Sequence, residues 1–377
     1  MPVVPHTALQ NRTIAVVGGG IAGLTAALAL AQRGARVTVH ERAGEFREVG
    51  AGIQVSPNAR RVLDALGLGE SLAAISIREE AVELRDEAGR PVARLDLLRH
   101  RPDEPFRCVH RARLVALLET AARAEGVDLR LGEAVPGRPE APLVVGADGL
   151  HSIQRWRLGN TDAPFFTGQT AWRALIPAPP DAAPVAQVFM GPGRHLVSYP
   201  LGEGLRNVVA VLETPEWTAA DWAQEGDPAA LRAAFAGFGG PVPGWLAAVE
   251  RCGYWGLFRQ PVAARWQDGE TVLIGDAAHP TLPFLAQGAC MAIEDAWRLA
   301  HWLSRAPQAE ALAAFEAERR PRVTRIVEAA NANARNYHLD GPRRAVAHAA
   351  LRLGSAAAPA LLFERFAWVY DYDPTAV

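Results

Sequence analysis

The chain has 377 residues, of which 49% are hydrophobic and 21% charged, and a formal net charge of -2. This length predicts about two domains and the composition a soluble globular protein, while the near-neutral charge excludes an electrostatic case for nucleic acid or an anionic membrane as partner. Cys108, Cys252 and Cys290 are odd in number and far apart, which argues against a disulfide framework or a zinc site and for small buried residues in a reducing compartment. The opening "MPVVPHTALQNR" has no basic stretch leading an apolar segment, and no apolar run approaches membrane-spanning length; a cytoplasmic protein without integral membrane association is expected.

The first elements lie in "RTIAVVGGGIAGLTAALALAQRGARVTVHER". Ile14 to Val17 read as a strand, Gly18-Gly19-Gly20-Ile21-Ala22-Gly23 as a G-x-G-x-x-G turn opening a helix, and Val37 to His40 as the next strand. Gly18 allows the tight turn, Gly20 lets the backbone approach a pyrophosphate, and Gly23 lets the helix pack on the sheet. Glu41, followed by Arg42, closes the second strand where a carboxylate accepts hydrogen bonds from an adenosine ribose. The motif alone does not separate FAD from NAD.

Next, "REVGAGIQVSPNARRVLDALGL" places Gly50, Gly52 and Pro57 in an irregular stretch before an amphipathic helix carrying Val62, Leu63 and Leu66. A further helix starts at His110-Arg111, and a cation at that place suits a phosphate or a solvated cap. The pattern of the opening returns in "PLVVGADGLHSIQR", an apolar strand over Leu143 to Val145 that breaks into Gly146-Ala147-Asp148-Gly149 before a helix holding Arg155. In the middle, "GPGRHLVSYPLGEGLRNVVAVLE" reads as two antiparallel strands around a Gly-Glu-Gly turn, with His195, Val197 and Tyr199 alternating onto one face. A third unit follows in "TVLIGDAAHPTLPFLAQGACMAIEDA": a short strand over Thr271 to Ile274, Asp276 at its exit, an irregular loop with Pro280, Pro283 and Gly288, then a helix from Ala289 to Trp302. Three strand ends carrying glycine or aspartate converge, in a doubly wound sheet, on one elongated ligand, and a dinucleotide has that length.

These three motifs, in this order, resemble those of the single-component flavoprotein aromatic hydroxylases, the FAD-dependent monooxygenases that include salicylate hydroxylase, 3-hydroxybenzoate 6-hydroxylase and 6-hydroxynicotinate 3-monooxygenase. The resemblance covers nearly the whole chain. It implies an α/β fold in which a Rossmann-like FAD domain, made of 10–80, 107–165 and 270–335, carries an inserted, mainly antiparallel sheet domain (81–106 and 166–269) and a helical end (336–377). It assigns Gly18 to Gly23 and Arg111 to FAD, Asp148-Gly149 with His151-Ser152 and Arg155 to the segment that serves FAD and the nicotinamide donor, and Asp276 to the flavin ribityl chain. Pro283 and the helix start at Gln287-Gly288-Ala289 then face the flavin ring, and Gly52, Ile53 and Gln54 fall beside flavin and substrate.

By the same resemblance, His195 and Tyr199 are the expected catalytic residues, since a phenol attacks the oxygen of a flavin hydroperoxide better as phenolate and needs a base. Trp172, Arg173, Phe258, Phe284 and Gln287 are expected to wall the substrate pocket. The implied activity is hydroxylation of a small hydroxylated aromatic acid with O2 and NADH or NADPH as transient donor, in a monomer or homodimer. Other readings are a flavin monooxygenase of urate, a polyketide or an antibiotic, and a flavin-fold carrier without turnover. Between Gly132 and Leu143 the chain has only "EAVPGRPEAP", where the family has a longer strand pair, so a trimmed hairpin is expected there.

Overall fold

The computed structural model describes residues 9–45, 52–217 and 223–376. Its first layer is a parallel sheet of five strands in the order Thr271–Leu273, Leu143–Gly146, Thr13–Val17, Arg36–Glu41, Asp128–Leu131. The central strands are runs of Val, Ile and Ala buried on both faces, as a sheet covered by helices requires. The turn after Thr13–Val17 works because Gly18 has a φ of 103°, a conformation that a side chain resists. Close packing explains Gly23, where an added Cβ would lie 1.9 Å from the Gly18 carbonyl oxygen. The helix Ile21–Ala31 is therefore seated directly on the sheet, with Leu24 and Ala26 through Leu30 fully buried.

The second layer is an eight-stranded sheet, antiparallel at every pairing except Val185–Gly191 with Ala81–Asp86. Its centre is the hairpin of Arg194–Gly202 and Leu205–Glu213, turned by Glu203 at φ 49° and Gly204 at φ 71°. Period-two alternation gives the sheet two unlike faces. On one, Trp172, Ala174 and Ile176 of Phe165–Pro177 pack with Phe189, Leu196, Val208 and Phe235 into a core. Arg173, His195, Val197, Tyr199 and Val209 occupy the other, which looks toward the parallel sheet across a cavity.

The stretch expected to be irregular before the second helix is in part ordered. Gly52–Val55 pairs antiparallel with Arg107–His110, which also pairs Ser76–Arg78 to complete a small three-stranded sheet. The β-branched Ile53 and Val55 favour pairing once a partner strand is at hand, and that partner lies about fifty residues away in sequence; Gly50 falls outside the described residues. The third unit carries two 3-10 turns, Gly275–Ala277 and Pro283–Leu285, before the helix Gly288–Leu303. Under it, Glu294 and Asp295 are fully buried against Arg319 of the long helix Gln308–Tyr337, with Arg319 Nε donating to Asp295 at 2.8 Å. Burial pushes both carboxyls up, and the attraction of neighbouring groups, Arg319 foremost for Glu294 and His279 then Arg319 for Asp295, more than reverses it. The C-terminus is helical, Gly341–Ala357 then Pro359–Tyr370, and no single helix among the described residues is long and apolar enough to cross a membrane.

Candidate active site

A cavity of about 890 Å³ runs from the carboxyl ends of the parallel strands to the inner face of the large sheet. At its nucleotide end the three strand-loop-helix units meet. Gly18, Gly20, Ile21 and Ala22 of the first line it, with Glu41 and Arg42 from the next strand end. Asp148 comes from the second unit, and Asp276, Pro283, Gly288 and Ala289 from the third. Gly52, Ile53 and Arg111 close it from the small sheet and the start of the helix Arg111–Ala124. Glu133 through Pro136, in the segment without a strand between Asp128–Leu131 and Leu143–Gly146, also reach the wall, and Glu133 Oε1 lies 3.0 Å from His40 Nδ1.

Two observations show that this end fits a flavin dinucleotide. The first is the glycine turn: a Cβ on Gly18 would strike the Ala147 carbonyl oxygen at 2.4 Å, whereas one on Gly20 meets nothing within 4 Å, so backbone is presented to open space. The second is Asp276, which lines the cavity with its side chain uncovered and, among the described residues, has no hydrogen bond or ion pair. Enclosure by protein raises its pKa, against the pull of His279 and Arg111. An enclosed acceptor without donors suits the hydroxyls of a ribityl chain, and Arg111, likewise without an ion-pair partner among the described residues, suits a phosphate. Glu41 already accepts from Gly19 N at 2.7 Å and Ala43 N at 2.9 Å, which locks the turn to the second strand.

Other expected contacts turn out to hold the frame. Asp148 accepts from Ile153 N at 2.8 Å and Gln154 N at 3.2 Å, so it caps the short helix Ile153–Arg157 while lining the cavity. Arg155 is buried away from the cavity, its guanidinium donating to the carbonyls of Pro261, Ala277 and Ala278, and thereby fixes the Asp276 loop. Gln287 lines the wall, but its amide is spent on Ser56 at 2.9 Å and Asn58 at 3.0 Å, bracing the start of Gly288–Leu303. Gln54 lines it as well and donates to Glu79 at 2.6 Å.

At the sheet end, register fixes the layout. Arg173 stands level with Val209, and Val209 with Val197, so its backbone lies in the row between those of His195 and Tyr199, two strands away, and all three side chains line the cavity. Arg173 rests on Trp255 at 4.9 Å, faces no carboxylate within ion-pair range among the described residues, and leaves its buried Nε without a partner. Burial lowers its pKa without removing its charge at neutral pH. Tyr199 is buried, and burial drives its phenol well above the ordinary value, so it stays protonated and acts as a donor, not a base. Gly52 is needed at this point because a Cβ there would meet the Tyr199 ring at 2.5 Å. His195 is 1% exposed and held far below the ordinary imidazole range by burial and then by His338, so it is neutral, with one ring nitrogen unprotonated.

Phe284 packs edge-on against His195 at 5.1 Å and lines the cavity. Trp172 and Phe258 do not line it. Trp172 is one residue from Arg173 and so points to the opposite face, stacked on Tyr254 at 4.5 Å, while Phe258 packs on Phe166; aromatic character carries no information about facing, and strand parity decides it. Sequence reasoning missed Glu79, His338 and Glu213. Glu79 is a cavity-wall carboxyl whose pKa burial raises, and His338 lies 143 residues from its partner His195, a separation no local pattern reports.

Comparison with known proteins agrees with this geometry. Residues 11–139 and 136–330 match the FAD binding domain family. The 3-amino-4-hydroxybenzoate 2-monooxygenase PtmB3 of Streptomyces platensis is 36% identical, covering 99% of this chain and 99% of that protein. A 3-amino-4-hydroxybenzoate 2-monooxygenase of Streptomyces cremeus is 40% identical over 87% of this chain and 89% of its own. Among solved structures, Klebsiella pneumoniae HpxO complexed with FAD and uric acid superposes with a TM-score of 0.78 at 26% identity, over 90% of this chain and 92% of that one. The match of residues 11–139 and 136–330, with relatives of this identity over nearly the whole chain, shows that the chain belongs to the FAD binding domain family, as an FAD-dependent monooxygenase of the aromatic hydroxylase type.

Proposed function

We propose that this enzyme hydroxylates a small phenolic aromatic carboxylic acid of the hydroxybenzoate or aminohydroxybenzoate kind, with O2 and a transiently bound NADH or NADPH. The observation that carries this is Arg173, a cavity-lining cation on the sheet face of His195 and Tyr199 with no carboxylate partner among the described residues. Such a cation asks for an anionic ligand, and a carboxylate matches its planar fork. His195 and Tyr199 are four residues apart on one strand, about 13 Å at strand rise, room for an aromatic acid with polar groups at both ends.

In this reading Arg173 binds the carboxylate, Tyr199 donates a hydrogen bond, and His195 accepts the phenolic proton, which makes the ring electron-rich. Phe284 and the apolar Val197, Val209 and Val211 keep water from the ring. Asp276 holds the ribityl hydroxyls, Arg111 and the Gly18–Gly23 turn hold the pyrophosphate, and the N-terminus of Gly288–Leu303 faces the flavin. Bound FAD supplies the activation of oxygen. The segments 10–80, 107–165 and 270–335 act as the FAD unit, the nicotinamide donor docks on it only briefly, and 81–106 with 166–269 supply the substrate face.

The test is a panel of 3-amino-4-hydroxybenzoate, 3-hydroxybenzoate and the matching phenols without carboxylate, scored by NAD(P)H oxidation and hydroxylated product. The acids should stimulate turnover, and Arg173→Gln should raise their KM by about 30-fold or more, the effect of roughly 2 kcal/mol or more from breaking an enclosed charge pair. Equal turnover of the neutral phenols, with KM unchanged in Arg173→Gln, would overturn the substrate class. A bound flavin that neither nicotinamide bleaches would instead identify a carrier.

A further inference from the structure

The buried histidine at the sheet face is joined to the protein surface. His195 Nδ1 lies 2.7 Å from His338 Nε2, and His338 Nδ1 lies 2.8 Å from Glu213 Oε1. The first imidazole lines the cavity, the second is buried, and the Glu213 side chain is 54% exposed. Backbone contacts fix this line at both ends: Gly193 N donates to the His338 carbonyl at 3.3 Å, and Glu213 N donates to the Gly193 carbonyl at 2.8 Å. His338 itself ends the long helix, so three separate elements are arranged to put two imidazoles and a carboxylate in series.

We propose that His338 and Glu213 are positioning residues that carry the phenolic proton from His195 to solvent. The proposal rests on the phenolic substrate read above. The substrate O–H bond breaks as its proton joins His195 Nε2. The Nδ1 proton of His195 then passes to His338 Nε2, and the Nδ1 proton of His338 passes to the Glu213 carboxylate, which loses it to water. One proton enters the line and one leaves, no electrons move, and phenolate remains in the cavity.

Among the described residues, the surroundings give His195 no other protein group to pass a proton to. Burial holds both imidazoles below the ordinary range, so neither stores a proton. The other groups against His195 are the rings of Phe284 at 5.1 Å and Tyr337 at 5.2 Å, and burial pushes the Tyr337 phenol up to about 12. Neither ring is a proton acceptor near neutral pH. Around His338 the facing titratable groups are His195 and Glu213.

The test mixes the FAD-loaded enzyme with 3-amino-4-hydroxybenzoate in weak buffer containing a pH-indicator dye and follows proton release by stopped flow, with flavin absorbance reporting binding. Glutamine at 338 can accept from His195 and donate to Glu213, but it cannot pass a proton along. A purely structural hydrogen-bond chain therefore tolerates His338→Gln, whereas a relay does not. His338→Gln should slow proton release at least about tenfold at unchanged substrate affinity, and Glu213→Gln should slow it less, with recovery as added buffer replaces the carboxylate. Wild-type release rates in both variants would overturn the relay while leaving the substrate assignment intact. If His338→Gln fails to fold, Glu213→Gln at the surface decides by itself. Flavin absorbance undisturbed by this acid and by 3-hydroxybenzoate would remove both readings together, since the line would have no proton to carry.

Discussion

At the glycine-turn end of the cavity Asp276 and Arg111 line the wall without a hydrogen-bond or ion-pair partner among the described residues, whereas at the sheet end His195 already holds His338 at 2.7 Å, and through it Glu213. The nucleotide end is left incomplete, so its polar groups become satisfied only when a ligand arrives, and substitutions there should be read as affinity. The sheet end is connected before substrate binds. Its groups are aligned for proton movement, and substitutions there should be read as rate.

The largest effect tests the second half of that contrast. His195→Ala should keep FAD and its reduction by NAD(P)H, because the ring lies at the far end of the cavity, yet hydroxylation should fall by about 10²–10⁴, the usual worth of a positioned acid–base group. The missing product should appear as hydrogen peroxide, measured against NAD(P)H consumed. Normal coupling would reduce His195 to a satisfied sheet histidine and move the search to a bound water, since Tyr199 stays protonated.

A second comparison sits within one strand, where Trp172 and Arg173 are neighbours facing opposite ways. Trp172→Ala should cost about 3–5 kcal/mol of stability through the cavity it leaves between Tyr254 and Phe235, measured by denaturant unfolding, with KM of the surviving enzyme unchanged. A raised KM at intact stability would show that the large sheet presents its other face to substrate. The smallest effect belongs to the nucleotide end. Asp276→Ala should weaken FAD binding by about 1.5–3 kcal/mol, roughly 10- to 150-fold, the worth of a hydrogen bond to a charged acceptor. Titration of apoprotein with FAD checks it, and unchanged affinity would mean that the ribityl chain lies elsewhere.

The cofactor end was legible because its residues come in local packages. A strand, a glycine or aspartate turn and a helix occupy about twenty consecutive residues, so Gly18, Asp148 and Asp276 announced their place at strand ends. Even there the motif did not separate binding from support. Asp148 caps a helix, Arg155 braces carbonyls and Gln287 is tied to Ser56 and Asn58, because a polar side chain near a loop serves whichever unmet backbone group lies closest.

By itself, then, the sequence determined the three nucleotide-binding units, the parallel sheet they build, and the shared face of His195, Val197 and Tyr199, since each follows from periodicity and turn chemistry within a short span. Tertiary structure decided the rest. Only the pairing of Phe165–Pro177 with Leu205–Glu213 sets Arg173 in the row of Val197 and sends Trp172 to the far side. Only the packing of the helix end against the Gly193 turn brings His338 between His195 and Glu213. The physical reason is range: backbone propensity and alternation act over a few residues, while ion pairing, burial and proton transfer depend on distances between atoms that the chain brings together only on folding.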